Sequence, residues 1–114
     1  MNQRVSKVKR VASVIGLVPE ARAEYERIHA AVWPEVLDRI YKSNIRNYSI
    51  FLHNDLLFSY FEYVGDDYEG DMAKIGEDPD TQRWWEITIP MQSPLADRAE
   101  GDWWKVLPEV FHVD

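Results

Sequence analysis

The sequence predicts an α+β fold in which helices cover one face of a single antiparallel sheet, the split βαβ, ferredoxin-like arrangement. Three observations predict it. The elements read in order as strand, helix, strand, strand, helix, strand. Only Asn54-Asp55 separates the two middle strands, a link short enough for a hairpin. The whole chain has 114 residues, which suits one core and one domain, residues 1–114, with 1–6 as a flexible tail. A sheet with helices on one face leaves its other face open. The five Trp, six Tyr and four Phe of so short a chain point to a second copy as its cover, so a homodimer is expected.

Taken in order, Val8 to Val18 is rich in Val and Ile and reads as a buried strand. Pro19 and Glu20 suit the first turn of a helix, by fixed φ and by charge. Ala21, Tyr25, Ile28, Val32 and Val36 then recur at helical spacing. Pro34 removes a backbone donor and pushes Trp33 out of helical angles, so a break is expected there, with a second helical piece to about Lys42. Asn47 to His53 alternates, with Tyr48, Ile50 and Leu52 on one face. Leu56 to Val64 is again strand-like. Gly65 to Gly70 reads as an acidic loop and Asp71 to Ile75 as a short helical piece. Asp78-Pro79 caps another helix, running to about Ile87 or Ile89. Pro90 and Pro94 bound an irregular stretch to Gly101, and Leu107 to Val113 suits a last strand.

Composition excludes several functions. The net charge of −7, from 20 acidic and 13 basic residues, argues against nucleic-acid binding, which needs Lys and Arg to neutralise phosphate. No apolar run approaches the ~20 residues of a membrane helix, and no signal-peptide core follows the basic start. The absence of cysteine removes disulfides and thiolate catalysis and suits a cytoplasmic location. The three histidines, His29, His53 and His112, lie far apart, so no metal site is expected. There is no Walker loop, GxGxxG or GxSxG motif.

His29 is the residue of most interest. It follows Tyr25 by four positions, so both side chains share a helix face. It also precedes the break at Trp33-Pro34, where open backbone groups make room for a ligand. Histidine exchanges protons near neutral pH; the competing reading is a His hydrogen-bonded at a helix end. In Trp84-Trp85, adjacent helix positions point about 100° apart, so one ring can fill the core while the other lines a cleft. Indole faces suit the C–H-rich side of a sugar, though two packed tryptophans are the simpler account of the pair. Tyr48 shares the apolar face of its strand, which favours core packing, though its hydroxyl could project from the edge into a pocket.

At these residues the sequence resembles the L-rhamnose mutarotase family. The resemblance lies in Tyr25-Glu26-Arg27-Ile28-His29-Ala30-Ala31-Val32-Trp33-Pro34-Glu35, Asn47-Tyr48-Ser49-Ile50-Phe51-Leu52, Leu56-Leu57-Phe58 with Glu62, Gln82-Arg83-Trp84-Trp85 and Glu109-Val110-Phe111. These keep their order from about Val8 to the end. The combination of YxxxHxxxWPE with QRWW carries most of the weight. The resemblance implies a dimeric α/β barrel and cofactor-free exchange of the α and β anomers of L-rhamnose or a related 6-deoxyhexose such as L-fucose. It places His29 at the family's proton-donor position and Tyr25, Tyr48, Trp84 and Trp85 at its sugar-contacting positions. The chain departs from the family in Ala30-Ala31, in the acidic 65–77 region and in Asp102-Trp103-Trp104, changes that could reshape the pocket.

Anomer exchange opens and recloses a hemiacetal. A proton leaves the anomeric hydroxyl and another reaches the ring oxygen, and no hydride, metal or covalent intermediate is needed. His29 serves one end, with Tyr25 orienting it or relaying a proton. The other end is open at this point: a bound water or a carboxylate such as Glu109 would serve. The alternative reading is another use of the same fold, as a cofactor-free oxygenase or a non-enzymatic ligand-binding module.

Overall fold

The computed structural model describes residues 8–114, so the tail expected at 1–6 lies outside the described residues. Strand β1 (Lys9–Leu17) runs through the middle of the sheet. Helices α1 (Arg22–His29) and α2 (Pro34–Lys42) follow, then β2 (Ile45–His53), β3 (Leu56–Tyr63), α3 (Tyr68–Glu77), α4 (Pro79–Thr88) and the short strands β4 (Gln92–Ser93) and β5 (Lys105–Leu107). The sheet order is β2-β3-β1-β4, with β5 also on β1 and every pairing antiparallel. This is the ferredoxin-like α+β architecture, with β4 and β5 sharing the fourth strand position.

Local chemistry explains the main joints. Pro19 opens a short 3₁₀ turn that leads into α1. Trp33 is extended at ψ 136°, as a residue before proline must be, and Pro34 starts α2. The expected break therefore falls between His29 and Pro34. Asn54 (φ 48°) and Asp55 (φ 56°) make the β2–β3 hairpin as two left-handed residues, the turn whose twist matches that of the strands. Gly16 lies against β4 so closely that an added Cβ would stand 2.5 Å from the Ser93 carbonyl oxygen.

Two expectations need correction. The 65–70 stretch is not all loop: Asp67 caps α3 by accepting from the Gly70 N–H at 3.0 Å, so the helix starts at Tyr68. Its Asp71, 7 % exposed, is gripped by the Tyr63 hydroxyl at 2.5 Å and the Asn44 amide at 2.9 Å, which clasps α3 to the end of the sheet. The last strand is not 107–113 but Lys105–Leu107. Beyond it Val110, Phe111 and Val113 lie 93 %, 78 % and 72 % exposed, because Pro108 has no N–H with which to continue the ladder on β1.

Register places the core. Val11, Ser13, Ile15 and Leu17 of β1 share a face with Leu57, Ser59, Phe61 and Tyr63 of β3 and with Ile50 and Leu52 of β2. Tyr25 of α1 packs onto Ile15, Leu17 and Leu57, with Met91 and Trp104 alongside, so this is the helix-covered face. The opposite face carries Arg10, Phe58, Tyr60, Glu62 and the 64 % exposed Phe51, with no helix of the described residues over it. No helix of the described residues is long and apolar enough to cross a membrane.

Candidate active site under the first helix

The end of α1 brings four rings together. Tyr25 and His29, one helical turn apart, stack with centroids 4.1 Å apart and planes 21° apart. Trp84 of α4 meets His29 edge-on at 5.3 Å, and Trp33 meets Trp84 edge-on at 5.1 Å. Trp33 takes this place because Pro34 extends the backbone there.

The tautomer of the neutral His29 ring follows from one contact. Its Nδ1 lies 2.8 Å from the Tyr25 carbonyl oxygen, which can only accept, so Nδ1 carries the hydrogen. In the neutral ring Nε2 then holds a lone pair. Burial pushes the His29 pKa below the usual histidine value, opposed by the same backbone bond. The ring is therefore neutral at pH 7 and ready to accept a proton at Nε2.

Two phenols accompany it. Tyr25 is 4 % exposed, and burial raises its pKa while a hydrogen bond from Gln92 holds it down. Tyr48 faces the same way, in step with Ile50 and Leu52, at a bulge that β2 carries between Arg46 and Ser49. Asn47 takes the left-handed conformation there (φ 53°) and donates to Glu62 at 2.7 Å on the other face. Tyr48 rests edge-on against Phe61, with centroids 5.5 Å apart. Its residue surface is 43 % exposed, but the hydroxyl end is desolvated: burial, and then the Tyr25 phenol, raise its pKa to about 12. Both tyrosines thus remain protonated hydroxyls across the physiological range.

The structure gathers Tyr25, His29, Tyr48 and Trp84 at the helix-covered face. Trp85, the next residue, stays 38 % exposed, outside the contacts that tie Trp84 to His29 and Trp33. Glu109 does not join them. It accepts from Arg10 at 2.7 Å on the helix-free face, beside a cavity of about 650 Å³ also lined by Tyr60, Glu62, Phe111 and His112. The strand carrying Arg10 points it away from Tyr25, so Glu109 cannot serve as partner to His29 in the same chain. Among the described residues no three His, Cys, Asp or Glu side chains converge as metal ligands.

Sequence reasoning assigned no role to Gln92 and marked Trp103 only as part of a segment that could reshape the pocket. Gln92 lies opposite Leu17 in the β4–β1 pairing, and its amide reaches the Tyr25 hydroxyl at 3.3 Å. The Trp103 indole N–H donates to the same amide's oxygen at 2.8 Å. Both fall in or just after the irregular 90–101 stretch, where no periodicity marks a facing direction. The doubled tryptophan at 103–104 was the only signal available.

Comparison with known proteins points to one family. The family model described as L-rhamnose mutarotase matches residues 10–113. An L-rhamnose mutarotase of Bacteroides thetaiotaomicron is 33 % identical over 109 residues, covering 94 % of this chain and 100 % of the relative. Among solved structures, an L-rhamnose mutarotase from Formosa agariphila superposes with a TM-score of 0.71 at 22 % identity, covering 93 % of this chain and 99 % of its own. Tetracenomycin F2 cyclase from Streptomyces glaucescens, a type-II polyketide cyclase, shares the fold with a TM-score of 0.65 at 18 % identity, covering 92 % of this chain and 95 % of its own.

Proposed function

The chain belongs to the L-rhamnose mutarotase family, and from that premise we propose that it exchanges the α and β anomers of L-rhamnose with His29 first accepting a proton, as a base, and not first donating one as the resemblance implies. It is an isomerase, and neither an oxygenase nor a binding module is favoured. The observation that carries the residue assignment is the Nδ1–H bond from His29 to the Tyr25 carbonyl, which leaves Nε2 as a lone pair in a half-buried, ring-lined site.

The reaction then runs in balanced steps. Nε2 of His29 takes the proton of the anomeric hydroxyl. The bond from C1 to the ring oxygen breaks, the ring oxygen gains a proton from a tyrosine hydroxyl, and C1 becomes an aldehyde. Rotation about C1–C2 presents the other carbonyl face. The ring oxygen attacks it, returns its proton to the tyrosinate, and the carbonyl oxygen recovers the proton held on His29. Positioned acid–base groups give roughly 10²–10⁴-fold, enough for a reaction that already proceeds in water. Trp84 offers an apolar wall to the C–H face of the sugar, and Trp85 a second one at the rim.

The direct test is saturation-transfer NMR on L-rhamnose and L-fucose, with and without protein, in the presence of EDTA. L-rhamnose exchange should quicken without added metal. Faster exchange of L-fucose alone would reassign the sugar, and no acceleration of either would remove the proposal.

The enzyme is proposed to work in the cytoplasm as a homodimer whose second copy covers the helix-free face. Phe51 on that face and Val110, Phe111 and Val113 beside it expose apolar surface that water disfavours. Light scattering at micromolar concentration should give about twice the 13.4 kDa chain mass. A clean monomer would refute the pairing.

A further inference from the structure

We propose that Gln92 and Trp103 are positioning residues that aim the Tyr25 hydroxyl proton into the site, making Tyr25 the acid that serves the sugar's ring oxygen. The inference rests on the mutarotase reading and supplies the donor that the reaction leaves unassigned between two tyrosines.

It follows from donor and acceptor bookkeeping. An indole N–H only donates, so the atom of Gln92 facing Trp103 at 2.8 Å must be the amide oxygen. The amide nitrogen is then turned to the Tyr25 hydroxyl, at 3.3 Å, the long end of the range. An NH₂ group also only donates, so the Tyr25 oxygen is the acceptor of that bond. The hydroxyl's own proton is left for a different acceptor. On the far side of the same tyrosine, the Tyr25 carbonyl holds His29 in the tautomer with a free Nε2. One residue therefore orients the base through its backbone and offers the acid through its side chain.

The indole fixes the sense of the relay. A glutamine amide can turn over and exchange its oxygen and nitrogen. Turned over, its oxygen would capture the Tyr25 proton and silence the acid. Trp103 forbids this, because its N–H would then face an NH₂. Strand pairing holds the other end: Gln92 is the first residue of β4, directly opposite Leu17, and the Val18 N–H bonds the Met91 carbonyl at 2.8 Å. Burial raises the Tyr25 pKa and the Gln92 bond opposes that rise, as a donor to the phenol oxygen should.

The test uses Trp103→Phe, which keeps a ring but loses the N–H, and Gln92→Met, which keeps the length but loses the amide. Each should lower kcat for L-rhamnose exchange by roughly 2- to 10-fold, the size of one ordinary hydrogen bond, with KM changed less. In a Tyr25→Phe background neither change should cost anything further. The Tyr25 phenol, followed by NMR of ring-labelled tyrosine and assigned with Tyr25→Phe, should titrate at higher pH in Gln92→Met than in the wild type. Equal losses with and without the Tyr25 hydroxyl, or a Tyr25 titration unmoved in Gln92→Met, would overturn the relay. Failure of the wild type to quicken L-rhamnose exchange would instead overturn the mutarotase reading, while the titration still judges the relay.

Discussion

Replacing His29 with alanine should slow anomer exchange by roughly 10²–10⁴-fold and leave the protein folded. The ring contributes a stacking contact with Tyr25 and an edge contact with Trp84, each modest, but it supplies the only imidazole among the gathered side chains. His29→Asn should lose nearly as much, because it keeps hydrogen bonding without a titratable nitrogen. The pH profile gives a second check. In the proposed mechanism His29 works as a neutral base, and burial places its pKa below the usual histidine value. The rate should therefore fall as pH drops below that value, stay flat through neutrality, and decline again only where the tyrosine acid ionises. The alkaline limb should lie high, since both Tyr25 and Tyr48 have raised pKa values, Tyr48 to about 12. A folded His29→Ala protein with wild-type exchange, read by NMR beside a thermal melt, would leave His29 as an ordinary helix-end residue.

Where a strong local signal existed, the residues told the structure in advance. Pro34 has a fixed effect on the residue before it, so the break after His29 and the restart at Pro34 followed from chemistry confined to two positions. The alternation of Tyr48, Ile50 and Leu52 survived into the fold because the bulge at Asn47 precedes it and does not shift it. The misses share a cause as well. The acidic run before Asp71 looks like loop by charge alone, yet its helix is selected by the Asp67 cap and by the burial of Asp71 against Tyr63 and Asn44, partners 8 and 27 residues away. The fourth strand is split, and two- and three-residue strands carry too little pattern to stand out. The same holds at the site. Tyr25 and His29 were legible because one helix turn joins them. Gln92 and Trp103 belong to it through contacts 67 and 11 residues apart, which no spacing encodes.

Trp84→Ala should destabilise the fold by roughly 3–5 kcal/mol, the cost of emptying a buried indole site. Trp84 is 7 % exposed and sits where α4 meets the end of α1, with His29 on one edge and Trp33 on another. Its removal opens a cavity lined by those two rings, and edge-on pairs of this kind add about 0.5–1.5 kcal/mol beyond area burial. In a domain of this size each kcal/mol moves Tm by about 4 °C, so the melt should fall by roughly 12–20 °C. Trp84→Phe, which retains a ring against His29, should lose less than half as much. Trp85→Ala isolates the binding role of the neighbouring ring: at 38 % exposure it supports little packing, so Tm should move by only a few degrees. Its effect should appear instead as a raised KM for L-rhamnose, because a wall that touches the sugar equally before and during ring opening contributes to binding and not to the chemical step. The measurement is a thermal melt of all three variants, with KM and kcat by NMR exchange for those that fold. If Trp85→Ala unfolded the chain while Trp84→Ala melted like the wild type, the assignment of core and rim within the pair would be reversed.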